Sequence, residues 1–213
     1  MAFYPILIEW QGAPCLIAGG GRIALHKAEL FCAQGAEVTV VAPELCPEIE
    51  ALPLRAEKRP VRAEDAAGKL LVVDATGSPE AEAVLREACR RAHIPYLCAG
   101  HGEACSAILP AVFQKGRTVV AVSSVGASPA ASARLRNHLA GQVPEKMDEI
   151  LDGMAALRPL SHRFFAGQPT RRRFLHRCLD RMLAENRILT ETEIEAVRQT
   201  IEDESNSTEE KRR

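Results

Sequence analysis

Three consecutive glycines, at positions 19–21, separate a short apolar run from a helical pattern. The run 13–18 predicts a buried strand, and apolar residues recur at helical spacing from 22 to about 34. The six residues that begin with the first glycine fit G-x-G-x-x-A, in the strand–turn–helix context of a dinucleotide-binding turn. In such a turn Gly21 lets the backbone approach a pyrophosphate, and Ala24 allows close packing of the helix on the sheet. A tight turn without a ligand is the alternative interpretation.

The residues that follow the second predicted strand, 37–41, bear on the cofactor. In dinucleotide-binding folds an acidic residue about 20 positions after the turn holds a ribose hydroxyl. Glu44, which follows Pro43, is the nearest candidate, and it either meets this hydroxyl or faces water. No arginine directly follows the strand to hold a 2′-phosphate, although Arg55 or Lys58 could fold back. The sequence therefore favours NAD over NADP.

Strand patterns alternate with helical patterns in the first part of the chain. Apolar runs predict further strands at 70–74, 95–98 and 118–122. Such alternation predicts an α/β fold, in which helices cover both faces of a parallel sheet. After residue 122 the pattern becomes helical, which predicts a separate C-terminal part.

Several predicted helices begin at recognisable cap residues. Ser78 and Ser128 each precede a proline, which is the usual pairing of an N-cap with the first helical residue. The spacing Thr190-x-x-Glu193 has the form of a capping box. Gly141 is expected to end the helix that starts after Ser128.

The composition is typical of a soluble globular protein, with 46% apolar and 26% charged residues and a formal net charge of −1. No apolar run approaches the roughly 18 residues of a membrane span, and the first residues lack a signal-peptide pattern, so we expect a cytoplasmic protein without a membrane partner. The near-zero charge argues against a general nucleic-acid binder. Seven cysteines are scattered without a Cys-x-x-Cys pair, which predicts small buried side chains rather than a metal site.

Several segments of the chain occur in the order in which one known family has them. They are 4–8, 15–24, 27–28, 38–45, 74–76, 105–110 and 121–129. Together they resemble the precorrin-2 dehydrogenase (sirohydrochlorin-forming) module of the siroheme synthases, from about residue 1 to 150 and more loosely through the C-terminal helices. Val-Ala-Pro-Glu at 41–44 and the serine-rich segment 123–129 make the combination far more specific than the glycine turn alone.

The resemblance implies NAD-dependent oxidation of precorrin-2 to sirohydrochlorin, and in some relatives also insertion of Fe²⁺ to give siroheme. It implies a Rossmann-like NAD-binding domain, a dimerisation segment and a helical domain, for which we predict the boundaries 1–113, 114–143 and 144–202. It also implies a homodimer with the tetrapyrrole site near the junction of the two chains. The polar residues 203–213 are expected to be disordered.

The family's contacts can be transferred to matching positions of this chain. They place the cofactor beside the glycine turn and beside the ends of the second and third predicted strands, and a substrate contact at Ser124. The predicted cofactor-binding residues are Gly19, Gly21, Arg22, Ile23, Ala24, Pro43, Glu44 and Thr76.

An arginine-rich stretch, 158–187, suits the many carboxylates of precorrin-2. It contains eight arginines, no lysine and only two acidic residues. Arg134 and Arg136 extend the positive charge into the preceding helix and are predicted substrate-binding residues. We predict a surface for a polycarboxylate that a second chain completes, with an ordinary solvated helical face as the alternative.

The chain departs from the family at the position of the proposed catalytic aspartate, which is Gly100 here. Loss of a hydride from a tetrapyrrole must be matched by loss of a proton, so another base is required. His101 and Glu103 are the predicted catalytic residues, and ordinary loop residues are the alternative. A chelatase or carrier that has lost the dehydrogenase carboxylate is the second functional hypothesis, and a regulatory NAD(H)-binding module is the third.

Overall fold

The glycine turn connects the first strand of a parallel sheet to the first helix, as the sequence predicts.

The computed structural model describes residues 3–100 and 105–210. The strands of these residues form two sheets. They are β1 (Pro14–Ala18), β2 (Glu37–Ala42), β3 (Arg55–Lys58), β4 (Leu71–Asp74), β5 (Tyr96–Cys98), β6 (Ala111–Lys115) and β7 (Thr118–Val122).

The five-stranded sheet has the order β3-β2-β1-β4-β5, and all neighbouring strands are parallel. The predicted α/β, Rossmann-like fold is therefore confirmed. The order reverses at β1, which lies between β2 and β4. Ligands of such sheets bind beyond the carboxyl ends of the strands at this switch point. Ala18, the last residue of β1, is in register with Val41 on one side and Asp74 on the other.

Helices cover both faces of this sheet because alternate β1 side chains face opposite ways. Ile17 is fully buried in one apolar cluster with Phe31, and Leu16 is fully buried in another with Leu85. Phe31 belongs to the helix after the glycine turn, and Leu85 to the helix that begins after Ser78. The helices are α1 (Arg22–Ala33), α2 (Pro47–Glu50), α3 (Pro79–Ala92), α4 (Pro129–Ala140), α5 (Met147–Phe164), α6 (Gln168–Glu185) and α7 (Glu191–Glu210).

The cap residues act as the sequence predicts. The Ser78 and Ser128 hydroxyls each accept the backbone N–H three residues further on. At α7 the Thr190 N–H donates to the Glu193 carboxylate at 2.8 Å, and the Glu193 N–H donates to Thr190 Oγ1 at 3.3 Å, which completes the capping box. Gly141 is the C-cap of α4.

Residues 118–122 form a strand as predicted, but this strand lies outside the parallel sheet. It is β7, and it pairs antiparallel with β6 in a hairpin. Only Gly116 and Arg117 lie between the two strands, whereas a parallel pair needs a crossover of a dozen or more residues. Gly116 has φ +54°, which allows the tight turn. The Arg117 N–H and guanidinium both bond Asp148 of α5.

The chain divides into two compact units. One comprises residues up to 109 together with 125–127, and the other comprises 110–124 and the residues from 128 onward. In the second unit α5, α6 and α7 enclose an apolar core of their own, formed by Ile150, Leu157, Phe174, Cys178, Met182 and Ile201 among others. The hairpin and α4 belong to the same unit as these helices.

Helix α7 continues to Glu210, beyond the predicted end of the helical domain at 202. Ile201 is its last fully buried apolar residue. The next turn is nevertheless held, because Glu204 pairs with Arg173 and Arg177 of α6 and the Ser205 hydroxyl donates to the Ile201 carbonyl. Ion pairing with a neighbouring helix thus extends a segment whose polar sequence suggested disorder. Within the described ranges, no helix has the length and apolar character needed to cross a membrane.

Candidate functional site

Gly19 makes the sharp turn at the end of β1. Its φ is +118°, and a Cβ at this position would lie 2.5 Å from the Ala75 carbonyl oxygen, which follows β4. Its N–H donates to the Val41 carbonyl of β2 at 3.0 Å. The turn is therefore fixed between the ends of the two strands that flank β1, and only glycine fits there.

Gly20 is required for a reason that the sequence pattern did not reveal, since G-x-G-x-x-A accepts any residue at this place. A Cβ on Gly20 would lie only 1.8 Å from the Glu44 carbonyl oxygen. The Cys46 N–H donates to the Gly20 carbonyl at 2.9 Å. The loop after β2 is thus packed directly on the turn. The sequence signal for this contact was glycine at position 20, where the pattern allows any residue.

Gly21 has a different environment from its neighbours. Its backbone is extended, with φ −90° and ψ −169°, and no atom lies within 4 Å of the position of a Cβ. Because Gly21 is the N-cap of α1 and carries no side chain, no side-chain cap occupies the first N–H groups of the helix. Arg22 and Ile23 are exposed, whereas Ala24 is fully buried against the sheet. Open space in front of free helical N–H groups fits a pyrophosphate.

The loop after β2 places two predicted cofactor residues at the surface. Pro43 and Glu44 are both exposed, and the Glu44 carboxylate has no hydrogen bond among the described residues. Arg55 and Lys58, which the sequence left as alternative partners of a 2′-phosphate, are paired with Glu57 at 2.8 Å and Glu50 at 2.5 Å. These pairs favour the choice of NAD over NADP.

A buried carboxylate, which the sequence interpretation overlooked, lies at the end of β4. Asp74 is 2% exposed. One carboxylate oxygen accepts the Thr76 N–H at 2.9 Å and the Thr76 hydroxyl at 2.7 Å, and the other accepts the Tyr96 hydroxyl at 2.9 Å. Burial and the neighbouring Asp74 raise the pKa of Tyr96, so this phenol remains a donor. Thr76, a predicted cofactor residue, is therefore held by Asp74.

The loop that follows β5 begins and ends on β5 itself. The Tyr96 N–H donates to Ser106 Oγ at 2.9 Å, and the Cys98 N–H donates to Cys105 Sγ at 3.1 Å. Between these anchors Gly100 has φ +109°, and a Cβ there would meet no atom within 4 Å. The two predicted catalytic residues, His101 and Glu103, lie outside the described residues.

The predicted substrate residues of the second unit differ in how far their side chains are already hydrogen-bonded within the protein. The Ser124 hydroxyl donates to the Ser128 carbonyl at 3.0 Å and accepts the Ser128 N–H at 2.9 Å, so it closes the turn before α4. Arg136 is half-buried and donates to the Val112 carbonyl of β6 at 2.9 Å. Arg134 is exposed and makes no ion pair with any residue that the structure describes. Of the three, Arg134 has the freest side chain.

Many arginines of the stretch 158–187 stabilise the helical unit. Arg173 and Arg177 pair with Glu204, while Arg181 and Arg187 both pair with Glu193. Others of the eight form no ion pair with described residues. They are Arg158, Arg163, Arg171 and Arg172, and the Arg171 guanidinium instead bonds two backbone carbonyls. A polycarboxylate surface on this stretch would therefore depend on fewer arginines than the sequence suggests.

Comparisons with known proteins agree with these features. A family described as "putative NAD(P)-binding" matches residues 6–111. The siroheme synthase of Nitrosospira multiformis is 35% identical over 197 residues, which cover 87% of this chain and 41% of the relative. That of Thioalkalivibrio sulfidiphilus is 31% identical over 206 residues, 95% of this chain and 42% of the relative. The chain thus spans about two fifths of these relatives' length.

One solved structure is similar over nearly all of both chains. It is that of SirC, a precorrin-2 dehydrogenase, with 25% sequence identity and a TM-score of 0.62. The alignment covers 94% of this chain and 100% of SirC. The similarity therefore includes the helical unit as well as the parallel sheet.

Proposed function

Since this chain is a relative of the siroheme synthases and of the precorrin-2 dehydrogenase SirC, we propose that it oxidises precorrin-2 to sirohydrochlorin with NAD. The similarity to SirC over 94% of this chain is the observation that carries the proposal. The glycine turn supports it independently, because its open N–H groups suit a dinucleotide. The reaction removes a hydride and a proton from the substrate, and NAD⁺, when bound, accepts the hydride.

The cofactor would lie across the carboxyl ends of the central strands. The N–H groups that follow Gly21 bind the pyrophosphate, and Gly19 and Gly20 keep the turn tight enough for this approach. Glu44 holds a ribose hydroxyl beside β2. Thr76, fixed by Asp74, borders the cofactor beside β4.

Proton removal requires a base on the loop after β5. We assign this role to His101 or Glu103, because Gly100 offers no side chain at the family's aspartate position. Imidazole titrates near neutral pH and is the better suited of the two. Arg134 and the unpaired arginines of the helical unit would hold substrate carboxylates, and Ser124 would donate or accept a hydrogen bond near them.

The proposal includes a homodimer in the cytoplasm. The hairpin and α4 expose Val112, Val119, Leu135 and Leu139, and a two-stranded hairpin gains stability when a further layer covers it. A second copy of the chain would provide this layer, which sedimentation at twice the chain mass would verify. The scattered cysteines, without a Cys-x-x-Cys pair, suit a reducing compartment.

Anaerobic incubation with precorrin-2 and NAD⁺ tests the activity. We expect equal amounts of NADH and sirohydrochlorin, and a loss of about 100-fold or more in rate for the variant of the acting base, His101→Ala or Glu103→Ala. Absence of both products in the wild-type protein would refute the dehydrogenase.

The second candidate function is a tetrapyrrole chelatase or carrier. The missing side chain at Gly100 favours it, since the family's carboxylate is absent. A chelatase converts sirohydrochlorin and Fe²⁺ or Co²⁺ to the metallated product without NAD, and a carrier only binds the tetrapyrrole. Gly100→Asp is a poor rescue variant, because φ +109° strains any residue with a Cβ. Assays on the wild-type protein with each substrate pair distinguish the functions directly.

A further inference from the structure

Asp74 occupies the switch point of the parallel sheet. It is the last residue of β4 and is in register with Ala18, the residue before the glycine turn. The Ala75 N–H donates to the Ala18 carbonyl at 2.7 Å, so the chain after Asp74 runs beside the turn. The Asp74 carboxylate is consequently close to the site that binds a dinucleotide, although it is 2% exposed and does not line that site.

The groups that surround the Asp74 carboxyl suit its ionised form. The Ser78 N–H donates to Thr76 Oγ1 at 3.1 Å, and the Thr76 hydroxyl donates to Asp74 at 2.7 Å. The Thr76 N–H and the Tyr96 hydroxyl are also donors to it. Three hydrogen-bond donors around one carboxyl group favour its carboxylate form.

This buried charge has no cationic partner in the described part of the chain. The ion pairs of the first unit join other acidic residues, such as Glu57 and Asp65, to arginines at the surface. Neutral donors stabilise a carboxylate but do not cancel its net charge. In a protein interior, where the effective dielectric constant is far below that of water, such a charge acts over several ångströms.

The glycine turn determines which part of the cofactor meets this charge. The pyrophosphate lies at the start of α1, and the adenosine half extends towards β2, where Glu44 is placed for its ribose. The nicotinamide half must then extend to the other side of β1, over the end of β4. This argument rests on the proposed function, since it requires NAD as the cofactor.

We propose that Asp74 determines the redox form of the cofactor that this protein prefers. The nicotinamide ring carries a positive charge in NAD⁺ and none in NADH. A fixed negative charge close to the ring would stabilise the oxidised form and leave the reduced form unaffected. The protein therefore selects the oxidant before the reaction and releases NADH readily after it, as a dehydrogenase that works in the oxidative direction requires.

Dissociation constants of the full-length protein for NAD⁺ and NADH, measured by isothermal titration calorimetry, test this assignment. Asp74→Asn keeps the size of the side chain and removes its charge. We expect the variant to lose affinity for NAD⁺ and to keep its affinity for NADH, so that the ratio of the two constants changes by about tenfold. A purely structural role of Asp74 would weaken both forms equally, and a change in the ratio below threefold overturns the proposal.

Tyr96→Phe is the matched control, because it removes one donor to Asp74 and leaves the charge. Its ratio should remain within twofold of the wild-type value, and a tenfold change would show that the hydrogen bond, not the charge, sets the preference. If Asp74→Asn does not fold, the wild-type protein decides: NAD⁺ should bind at least as tightly as NADH, and tighter binding of NADH overturns the proposal. Failure of the wild-type protein to bind either form would refute NAD dependence itself.

Discussion

Adjacent glycines in one turn serve three different physical purposes. Gly19 adopts a backbone angle that other residues avoid, Gly20 makes room for the Glu44 carbonyl, and Gly21 leaves space in front of the helix. Only the last of these concerns a ligand, whereas the first two concern the fold. Substitution by alanine can therefore separate binding from stability within three positions of the chain.

Gly20→Ala and Gly21→Ala form a matched pair for this purpose. Gly20→Ala should destabilise the protein by roughly 1–3 kcal/mol, because its methyl group overlaps the Glu44 carbonyl oxygen. Gly21→Ala should change the free energy of unfolding by less than about 0.5 kcal/mol, since φ −90° suits alanine and no atom is near. It should nevertheless weaken NAD⁺ binding at least about tenfold, because the methyl group lies where the pyrophosphate approaches.

Urea denaturation and calorimetric titration of both variants provide these values. Unchanged NAD⁺ affinity in Gly21→Ala would contradict the placement of the pyrophosphate at this turn. Unchanged stability in Gly20→Ala would contradict the packing of the loop after β2 on the turn.

The capping box of α7 also joins this helix to α6. The Glu193 carboxylate accepts the Thr190 N–H and binds the guanidinium groups of Arg181 and Arg187. The hydrogen bond from Arg187, followed by that from the Thr190 N–H, holds the pKa of Glu193 well below its usual value. A carboxylate whose pKa is lower in the folded state stabilises that state only while it is ionised.

Glu193→Gln should therefore lower the midpoint of thermal unfolding at about pH 7, and the difference from the wild-type protein should shrink as the pH falls below about 4.5. The direction follows because the unfolded chain protonates Glu193 at its usual pKa, and the folded chain only at a lower pH. Glu191→Gln is the control, as Glu191 also lies in the first turn of α7 but has no ion pair with described residues. Circular dichroism melts at several pH values measure this difference in midpoint. A difference between variant and wild type that is the same at every pH would argue against the ion pairs.

The elements that the sequence predicts well are those specified by neighbouring residues. Ser78, Ser128 and Thr190 each determine a helix start through contacts within three residues. The strand β3 was not predicted, because Arg55–Lys58 is a charged edge strand without an apolar pattern. The hydrogen bond between Asp74 and Tyr96 joins residues of different strands, so it depends on the sheet order, which no local pattern contains.

The division into two units means that the effect of a ligand on the unfolding of one unit can be measured separately from the unfolding of the other. Trp10 is the single tryptophan of the chain, and its ring packs edge-on against Phe31 of α1, with the ring centroids 5.2 Å apart. Tryptophan fluorescence therefore reports on the unit that contains the glycine turn. Ellipticity at helical wavelengths also reports on α5, α6 and α7.

NAD⁺ at about 100 times its dissociation constant should stabilise the first unit by about 2.7 kcal/mol. We expect the unfolding midpoint detected by fluorescence to move to a higher temperature. The part of the ellipticity transition that comes from the helical unit should move less. Gly21→Ala is the control: with an affinity at least about tenfold weaker, the same NAD⁺ concentration should stabilise it by at most about 1.4 kcal/mol, so its fluorescence transition should move about half as far or less. Equal shifts of both transitions would show that the two units unfold together.

The anchoring of the loop after β5 has a consequence for how this protein can diverge. Both ends of the loop are fastened to one strand, by Ser106 at Tyr96 and by Cys105 at Cys98. Neither of these two bonds uses a side chain from the positions between them. The anchoring therefore does not require a particular side chain at Gly100. If the base stands at a neighbouring position, as we propose, the absence of the family's aspartate at Gly100 does not exclude dehydrogenase activity.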